Sequence, residues 1–566
     1  MRNASYVSGY SEKPLIGQTI GDLFDEVVDR FPEREVLVSS HQGLRYTYAQ
    51  FSKEVNTAAR AFMALGVKRG DRIGIWSPNR AEWTVVQIAT AKIGAILVNI
   101  NPAYRLHELE YALKQSGCSW IVIAAEFKYS NYTNMVIELL PELADSAPGE
   151  LKSPKVPDLR GVIRLHDEKV AGMLRWMDFM SLAGDVSSEQ LKQRQGKLDF
   201  DDPINIQYTS GTTGFPKGAT LSHHNILNNA FFVGESMKLT EYDRAIVPVP
   251  LYHCFGMVIG NLGCISHGAC IIYPSEGFDA ELVLKTVEAE RATVLHGVPT
   301  MFIAELDHED FNKYDLRTLR TGIMAGAPCP ILVMKEVQLK MYMHEVEIAY
   351  GLTEVSPVCT QTRPGTSIEM QVSTVGQVHP HLEIKIIDPY SGQILPKGEK
   401  GELCIRGYSV MKGYWNDAEK TCQTIDSTGW LHSGDLATMD DEGYVKIVGR
   451  IKEMIIRGGE NIYPREIEEF LFSHPKVSEV QVIGVPDEKY GEELMAWIKV
   501  VESEQLTGEE VREFCKGKIA HFKIPRYYKF VTEFPMTVTG KIRKIEMREI
   551  SVRELGLEKE AAIKTA

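Results

Sequence analysis

Short β-branched runs alternate with amphipathic stretches through most of the first 350 residues, and no other feature constrains the fold as strongly. DRIGIW (Asp71 to Trp76) predicts a strand, AEWTVVQIATAKIG (Ala81 to Gly94) a helix, AILVNI (Ala95 to Ile100) a strand and SWIVIAA (Ser119 to Ala125) another. Strands separated by helix-length segments form βαβ units, which give largely parallel sheets with helices on both faces. Between Val375 and Arg406 the pattern changes to short strands and tight turns, LEIKIID, PYSG and GELCIRG, predicting a small antiparallel barrel or sheet.

A chain of 566 residues exceeds what one hydrophobic core organises, so two or more domains are expected. After VGRIKEMIIRGGENIYPREIEEFL (Val448 to Leu471) comes a smaller α+β pattern, with strands around Glu479 to Val485, Ala496 to Val501 and Tyr527 to Val531, and a helix from about Thr507. The expected fold class is α/β: a large N-terminal domain (1–449) of α/β subdomains plus a small antiparallel β-barrel, then a smaller α+β C-terminal domain (450–566) beyond a hinge at 449–452.

The net charge of -14 argues against a nucleic-acid binder or a polybasic membrane-surface protein, because either needs a cationic face. Any anionic ligand must be met by local positive groups. Nine scattered cysteines with no C-x-x-C pair suit free thiols in a reducing compartment. The N-terminal MRNASYVSGYSEKPLIGQ has no apolar core of a signal peptide and too little arginine for a transit peptide. A cytoplasmic protein is expected, with a mitochondrial-matrix form left open if a transit peptide lies outside this sequence. From Ala245 to Ser275 there is no Asp, Glu, Lys or Arg, longer than the ~20 residues that span a bilayer. Pro248, Pro250, His253, Asn261 and His267 interrupt it, so it reads as strand, loop, helix and strand buried in protein, and no transmembrane segment is expected.

YTSGTTGFPKG (Tyr208 to Gly218) packs four Ser and Thr hydroxyl side chains, three glycines and one lysine into a turn-rich segment. Glycine lets backbone N–H groups converge, hydroxyls add donors and Lys217 adds charge, a combination suited to a polyphosphate. A Walker A loop needs G-x-x-x-x-G-K-[ST]; here Gly218 stands where Ser or Thr should bind magnesium, so a nucleotide is expected but not a P-loop NTPase. Four further segments look chemical: YGLTE (Tyr350 to Glu354), HSGDL (His432 to Leu436), VGRIKEM with Arg450 and Lys452, and TVTGKIRK with Lys541. Read singly, each is equally well a solvated turn.

Together and in this order they resemble the adenylate-forming superfamily, which holds acyl-CoA synthetases, firefly luciferase and peptide-synthetase adenylation domains. The resemblance covers nearly the whole chain. PLYHCFG (Pro250 to Gly256), DPINIQYTSGTTG, LIGQTIG and NPAYRLHELEY look nearest to its medium-chain fatty acid ligases. The resemblance implies two half-reactions, formation of acyl-AMP from a carboxylic acid and ATP, then displacement of AMP by the thiol of coenzyme A. It implies that Thr209, Ser210, Gly211, Thr212, Thr213, Gly214, Phe215, Pro216 and Lys217 hold the phosphates that leave as pyrophosphate. The resemblance further implies that Tyr350 stacks on adenine, Thr353 approaches the α-phosphate and Glu354 holds magnesium, a hard cation that wants oxygen ligands. It implies that Asp435, acceptor-only when ionised, takes the ribose hydroxyls, that Arg450 donates to the ribose, and that Lys541 bridges the substrate carboxylate and the α-phosphate, offsetting charge in the transition state.

The same resemblance implies that the C-terminal domain is mobile. It is expected to swing about Lys452, withdrawing Lys541 and presenting RGGEN, whose Gly458 and Gly459 would line a pantetheine tunnel. The acid's tail is expected near His253, Cys254, Phe255 and Gly256, with His253 a gate beside the carboxylate or, alternatively, a core histidine. An amino-acid-activating site would need a carboxylate for the substrate ammonium, since a buried unpaired charge is expensive; apolar residues stand here instead. His223 and His224 read as structural, and His381 occupies a loop position where relatives commonly carry glycine. Expected partners are small molecules (fatty acid, ATP, magnesium and coenzyme A), with monomer and homodimer both open. Rival readings are a long-chain or aryl acid ligase, a fatty acyl-AMP ligase loading a carrier protein, a luciferase-like oxygenase, and a catalytically silent nucleotide-binding scaffold.

Overall fold

The computed structural model describes residues 3–209, 216–327, 329–457, 460–536 and 542–561. Two large sheets form its centre. The first has eight strands; from its edge these are Met173–Arg175, Gly161–Arg164, Cys118–Ile123, Arg72–Trp76, Ile96–Asn99, Pro203–Thr209, Lys217–Ser222 and Gly413–Tyr414. Pairing is parallel as far as Pro203–Thr209 and antiparallel beyond it. The second has nine strands. Parallel neighbours Glu345–Gly351, Thr321–Ala325, Val294–Leu295, Arg244–Ile246, Cys270–Tyr273 and Glu35–Ser39 run through its middle. Antiparallel strands flank them: Val358–Gln361 and Gln377–Val378 on one side, Leu44–Thr47 on the other.

One core joins both sheets, taking Ile73, Leu97 and Val122 from the first and Ile271, Val294 and Ile323 from the second. The helix Ala81–Ile93 contributes to this core, and every one of its residues except Glu82 is buried. The stretch is therefore not amphipathic as its alternation with the strands suggests: apolar residues lie on every side, and Thr84, Gln87, Thr90 and Lys92 are buried with them. Gly94 stops the helix at φ +71°, a left-handed position that glycine adopts without a Cβ clash.

The uncharged stretch folds as expected from its interruptions. Strand Arg244–Ile246 leads to a loop, a π-helix Phe255–Leu262, an α-helix Gly263–His267 and strand Cys270–Tyr273, all within protein. Among the described residues, no helix is long and apolar enough to cross a membrane.

A third, antiparallel sheet is built from Leu382–Ile387, Gly401–Gly407, Leu431–Met439 and Val445–Arg450, with the N-terminal strand Tyr6–Ser8 added at its edge. His381 stands just before it at φ +60°, with Nε2 facing the Lys13 carbonyl oxygen at 2.7 Å. The left-handed backbone gives the physical reason a glycine suits that position. The C-terminal unit is a smaller α+β assembly. Strands Val477–Asp487 and Gly491–Val500 form its long hairpin, with Tyr527–Phe530 parallel to the second and helix Pro464–Phe472 packed on the first. Proline at the first position of that helix suits a site whose N–H needs no partner. The architecture is therefore a large α/β unit with an antiparallel sheet, followed by a small C-terminal domain.

Candidate active site

Thr209 ends one strand and Lys217 begins the next, directly opposite each other in antiparallel register. The segment they bracket, Ser210, Gly211, Thr212, Thr213, Gly214 and Phe215, lies outside the described residues. At its far end the Pro216 carbonyl accepts from Tyr111 OH at 3.1 Å.

Glu354 reaches this hairpin from another sheet. Its Oε1 accepts from Tyr414 OH at 2.9 Å and stands 3.5 Å from Thr209 Oγ1. The Lys217 ammonium sits 4.9 Å from the centroid of the same Tyr414 ring. Burial holds the Lys217 pKa below the ordinary lysine value, with the positive charges of Lys452 and Lys420 acting in the same direction. The carboxylates of Glu354 and Asp417 oppose that shift, so Lys217 stands among charges of both signs, and an anion brought beside it would favour its charged form.

Glu354 and Thr353 belong to a 3₁₀ turn, Thr353–Val355, directly after strand Glu345–Gly351. Gly351 is required at the join, because a Cβ there would lie 1.7 Å from the Pro357 carbonyl oxygen. Tyr350, one residue earlier, donates its OH to Asp435 Oδ2 at 2.5 Å. Arg450 Nε meets Asp435 Oδ1 at 2.9 Å, from the position paired with Asp435 in the antiparallel sheet. Asp435 is only 3% exposed. Burial pushes its carboxyl above the usual aspartate range, against the pull of Arg450 and the Tyr350 hydroxyl.

Several contributing residues were not legible in the motifs. Glu402 braces the turn that carries Asp435, with Oε2 2.9 Å from His432 Nδ1 and Oε1 accepting the Gly434 N–H at 3.1 Å. Tyr414 arrives through the pairing of Gly413–Tyr414 with Lys217–Ser222, a contact no local spacing announces. Lys544, in the TGKIRK segment, binds Glu468 Oε1 at 2.7 Å and Glu453 Oε2 at 3.4 Å. It thereby fastens helix Lys544–Leu555 to the turn Ile451–Glu453 that contains Lys452. Gly458, Gly459 and Lys541 lie outside the described residues.

The segment His253–Gly256 packs beside the strand that ends in Thr209. Cys254 Sγ donates to Gln207 Oε1 at 3.1 Å, and burial pushes its thiol well up. His253 packs its ring 4.2 Å from that of Tyr252. Gly256 has a backbone reason to be glycine, since a Cβ would meet the Pro250 carbonyl oxygen at 2.4 Å. The space that its lack of a side chain leaves is thus already filled by protein. His223 and His224 are far from any such role: His223 is wholly buried with Nδ1 accepting the Ile20 N–H at 3.2 Å, and the His224 ring packs against Phe200.

Residues 24–415 match the family described as AMP-binding enzyme, and residues 466–541 match the AMP-binding enzyme C-terminal domain. The chain belongs to the AMP-binding enzyme family. It is an ATP-dependent, acyl-adenylate-forming ligase. YngI of Bacillus subtilis (strain 168) is 51% identical over 543 residues, covering 96% of this chain and 99% of that one. The Danio rerio protein named medium-chain acyl-CoA ligase ACSF2, mitochondrial, is 48% identical, covering 98% of this chain and 91% of the relative. Among solved structures, the anthranilate CoA ligase AuaEII in complex with anthranoyl-AMP superposes with a TM-score of 0.83 at 26% identity, covering 96% and 99% of the two chains. Membership accounts for the order of the motifs, and the contacts above show how distant segments of this family member meet around Glu354 and Asp435.

Proposed function

We propose that the protein is a medium-chain fatty acid:CoA ligase that forms acyl-CoA, AMP and pyrophosphate. In the first half-reaction a carboxylate oxygen attacks the α-phosphorus of ATP, the bond to the β-phosphate oxygen breaks, and pyrophosphate leaves. In the second, the thiol sulfur of coenzyme A attacks the acyl carbon, AMP departs, and the thiol proton is released. The observation that carries the reading is the convergence of Thr209, Lys217 and Glu354 on one side and Tyr350, Asp435 and Arg450 on the other, joined through the single turn after Tyr350. The medium-chain assignment is supported by the names of the vertebrate relatives, of which the zebrafish protein aligns over 98% of this chain.

In this scheme Lys217 and Thr209, with Ser210 to Pro216, bind the β- and γ-phosphates. Tyr350 lies against adenine, Thr353 meets the α-phosphate, Asp435 accepts from the ribose hydroxyls and Arg450 donates to the ribose. The oxygens of Glu354 and Thr209 form a hard donor set that fits magnesium. When bound there, the ion supplies positive charge beside the phosphates. Lys541 bridges carboxylate and α-phosphate during adenylation; Gly458 and Gly459 line the route of the thiol afterwards. His253, Cys254, Phe255 and Gly256 border the acyl group.

We place the domain boundary at 449/450 and the hinge at Lys452. Support comes from the 3₁₀ turn Ile451–Glu453, which lies between the last strand of the antiparallel sheet and the first strand of the C-terminal unit, Ile455–Arg457, and is clamped by Lys544. The working compartment is the cytoplasm or, as the names of the vertebrate relatives indicate for those proteins, the mitochondrion.

A panel of acids from acetate through hexanoate, octanoate and dodecanoate to palmitate, scored for ATP-dependent consumption of coenzyme A, tests the proposal. Peak kcat/KM on hexanoate to dodecanoate is expected. Equal turnover of acetate or of an α-amino acid would overturn it.

A further inference from the structure

Strands Arg244–Ile246, Val294–Leu295, Thr321–Ala325 and Glu345–Gly351 are parallel neighbours, so their C-terminal ends form one crest. Ligands of open α/β sheets bind outside such carboxyl ends. Tyr350 sits on this crest. His296 sits there too, just past Leu295 and two strands away, roughly 10 Å at ~4.8 Å per strand spacing. That separation suits the tail of an acid whose carboxyl group is joined to the nucleotide, not the carboxyl group itself.

Strand alternation sets the direction of the imidazole. Val294 packs into the core between the two large sheets and Leu295 into the cluster on the opposite face, so His296 returns to the inner face. There its ring lies 6.0 Å, centroid to centroid, from that of Phe255. His296 has no exposed surface, while Phe255 is half-buried at the first position of its π-helix and therefore forms the outer layer. Irregular π turns of this kind recur at functional sites.

Nδ1 of His296 accepts the Ile323 N–H at 3.2 Å, which leaves the ring proton on Nε2. Nε2 is buried and has no hydrogen-bond partner among the described residues. Burial lowers the imidazole pKa to about 4, so the ring is neutral at physiological pH. Buried donors without an acceptor are uncommon and call for an explanation. His223, equally buried with Nε2 unpaired among the described residues, lies just past Ser222, which pairs with Pro203 at the opposite end of the hairpin from Thr209 and Lys217.

We infer that His296 is a specificity-determining donor whose Nε2–H selects carboxylic acids carrying an acceptor oxygen on the tail. The inference rests on the acid-activating reading above, in which Phe255 borders the acyl group. A tail that displaces Phe255 uncovers Nε2–H; an oxo or ether oxygen pairs it, whereas a plain alkyl chain leaves it unpaired. A site built around a hydrogen-bonding group rejects the analogue lacking that group far more strongly than an apolar pocket separates chains by one methylene.

The test compares octanoate with 3-, 5- and 7-oxo-octanoate in the full-length protein with ATP, magnesium and coenzyme A, reading kcat/KM. At least one oxo acid should exceed octanoate by about tenfold or more. In His296→Phe, a ring without the donor, octanoate should equal or exceed all three. His296→Asn keeps an acceptor for the Ile323 N–H, while its own N–H groups, on a shorter side chain, do not reach the Nε2 position, and it should show the same lost preference, which separates donation at that position from folding. Octanoate preferred over every oxo acid by the unaltered protein, or an oxo preference surviving in either folded variant, overturns the role of His296 and leaves the ligase reading standing. No ATP-dependent turnover of any of the four acids overturns both.

Discussion

Replacing Asp435 by alanine should weaken the use of ATP without changing which acid is preferred. Asp435 is held at 3% exposure, with Tyr350 OH 2.5 Å from Oδ2 and Arg450 Nε 2.9 Å from Oδ1, so its carboxylate cannot relax to another position at little cost. Each hydrogen bond from a ribose hydroxyl to this charged acceptor is worth about 1.5–3 kcal/mol. Two that share one carboxylate are not additive, and roughly 3 kcal/mol is a realistic loss. At 1.4 kcal/mol per factor of ten, this corresponds to about 10²-fold in kcat/KM for ATP. The assay is the initial rate of pyrophosphate release against ATP at saturating octanoate, with the hexanoate-to-dodecanoate ratio taken separately at saturating ATP. Asp435→Asn keeps the shape and one acceptor oxygen, and should lose about tenfold, between the wild type and the alanine variant. Circular dichroism and the unfolding midpoint distinguish a lost contact from a collapsed Tyr350–Arg450 cluster. An unchanged ATP dependence together with a shifted acid ratio would refute the reasoning, because Asp435 would then act on the acyl side.

Lys541→Ala should slow acyl-adenylate formation by at least ~10²-fold, while conversion of synthetic acyl-AMP and coenzyme A to thioester persists; equal damage to both halves would argue for one fixed site. Gly459→Leu should do the reverse, leaving first-turnover pyrophosphate release intact, and loss of that first burst would count against the tunnel assignment. Gly351→Ala puts a Cβ 1.7 Å from the Pro357 carbonyl oxygen, so the turn carrying Thr353 and Glu354 should distort at a cost of roughly 1–3 kcal/mol or more, read as a lowered unfolding midpoint and lost ATP turnover. Glu347 is wholly buried, and burial raises its carboxyl pKa to about 8 against the hydrogen bonds from Ser236 and Gln361. The folded state therefore keeps a proton between the ordinary value of 4.5 and about 8 that the unfolded chain has released, so this group makes stability fall as pH rises through that window. Glu347→Gln should raise the unfolding midpoint at pH 8 much more than at pH 5, and a variant as pH-sensitive as the wild type would show that another group is responsible.

What the sequence discloses about this molecule follows from the range over which each feature is decided. The strand Arg72–Trp76 and the helix Ala81–Ile93 are legible because burial leaves both segments rich in apolar residues, bounded locally by Asp71 and by Gly94 at positive φ. Helix Pro464–Phe472 is amphipathic, burying only Pro464, Ile467 and Leu471, and is legible instead through the proline at its first turn. The strand Tyr6–Ser8 is too short for any period, and is a strand only because Leu382–Ile387 pairs with it from across the chain. The site divides along the same line. Tyr350, Glu354, Asp435 and Arg450 stand in motifs that can be picked out one by one, whereas Tyr414 joins Glu354 to Lys217 through a strand pairing some two hundred residues removed from the lysine it meets. Gly256 misleads in the other direction: its smallness suggests room for a substrate, and the Pro250 carbonyl occupies that room. His296 carries no motif at all. Its candidacy arises from an unpaired nitrogen on a crest of parallel strands, a property of three strands and a π-helix together. On the proposed reading, residues that meet phosphates and ribose stand in recognisable motifs because those groups ask for the same donors and acceptors wherever they bind. The side chains facing the tail of the acid are set by packing between strands, so selectivity for that tail must be read from the fold.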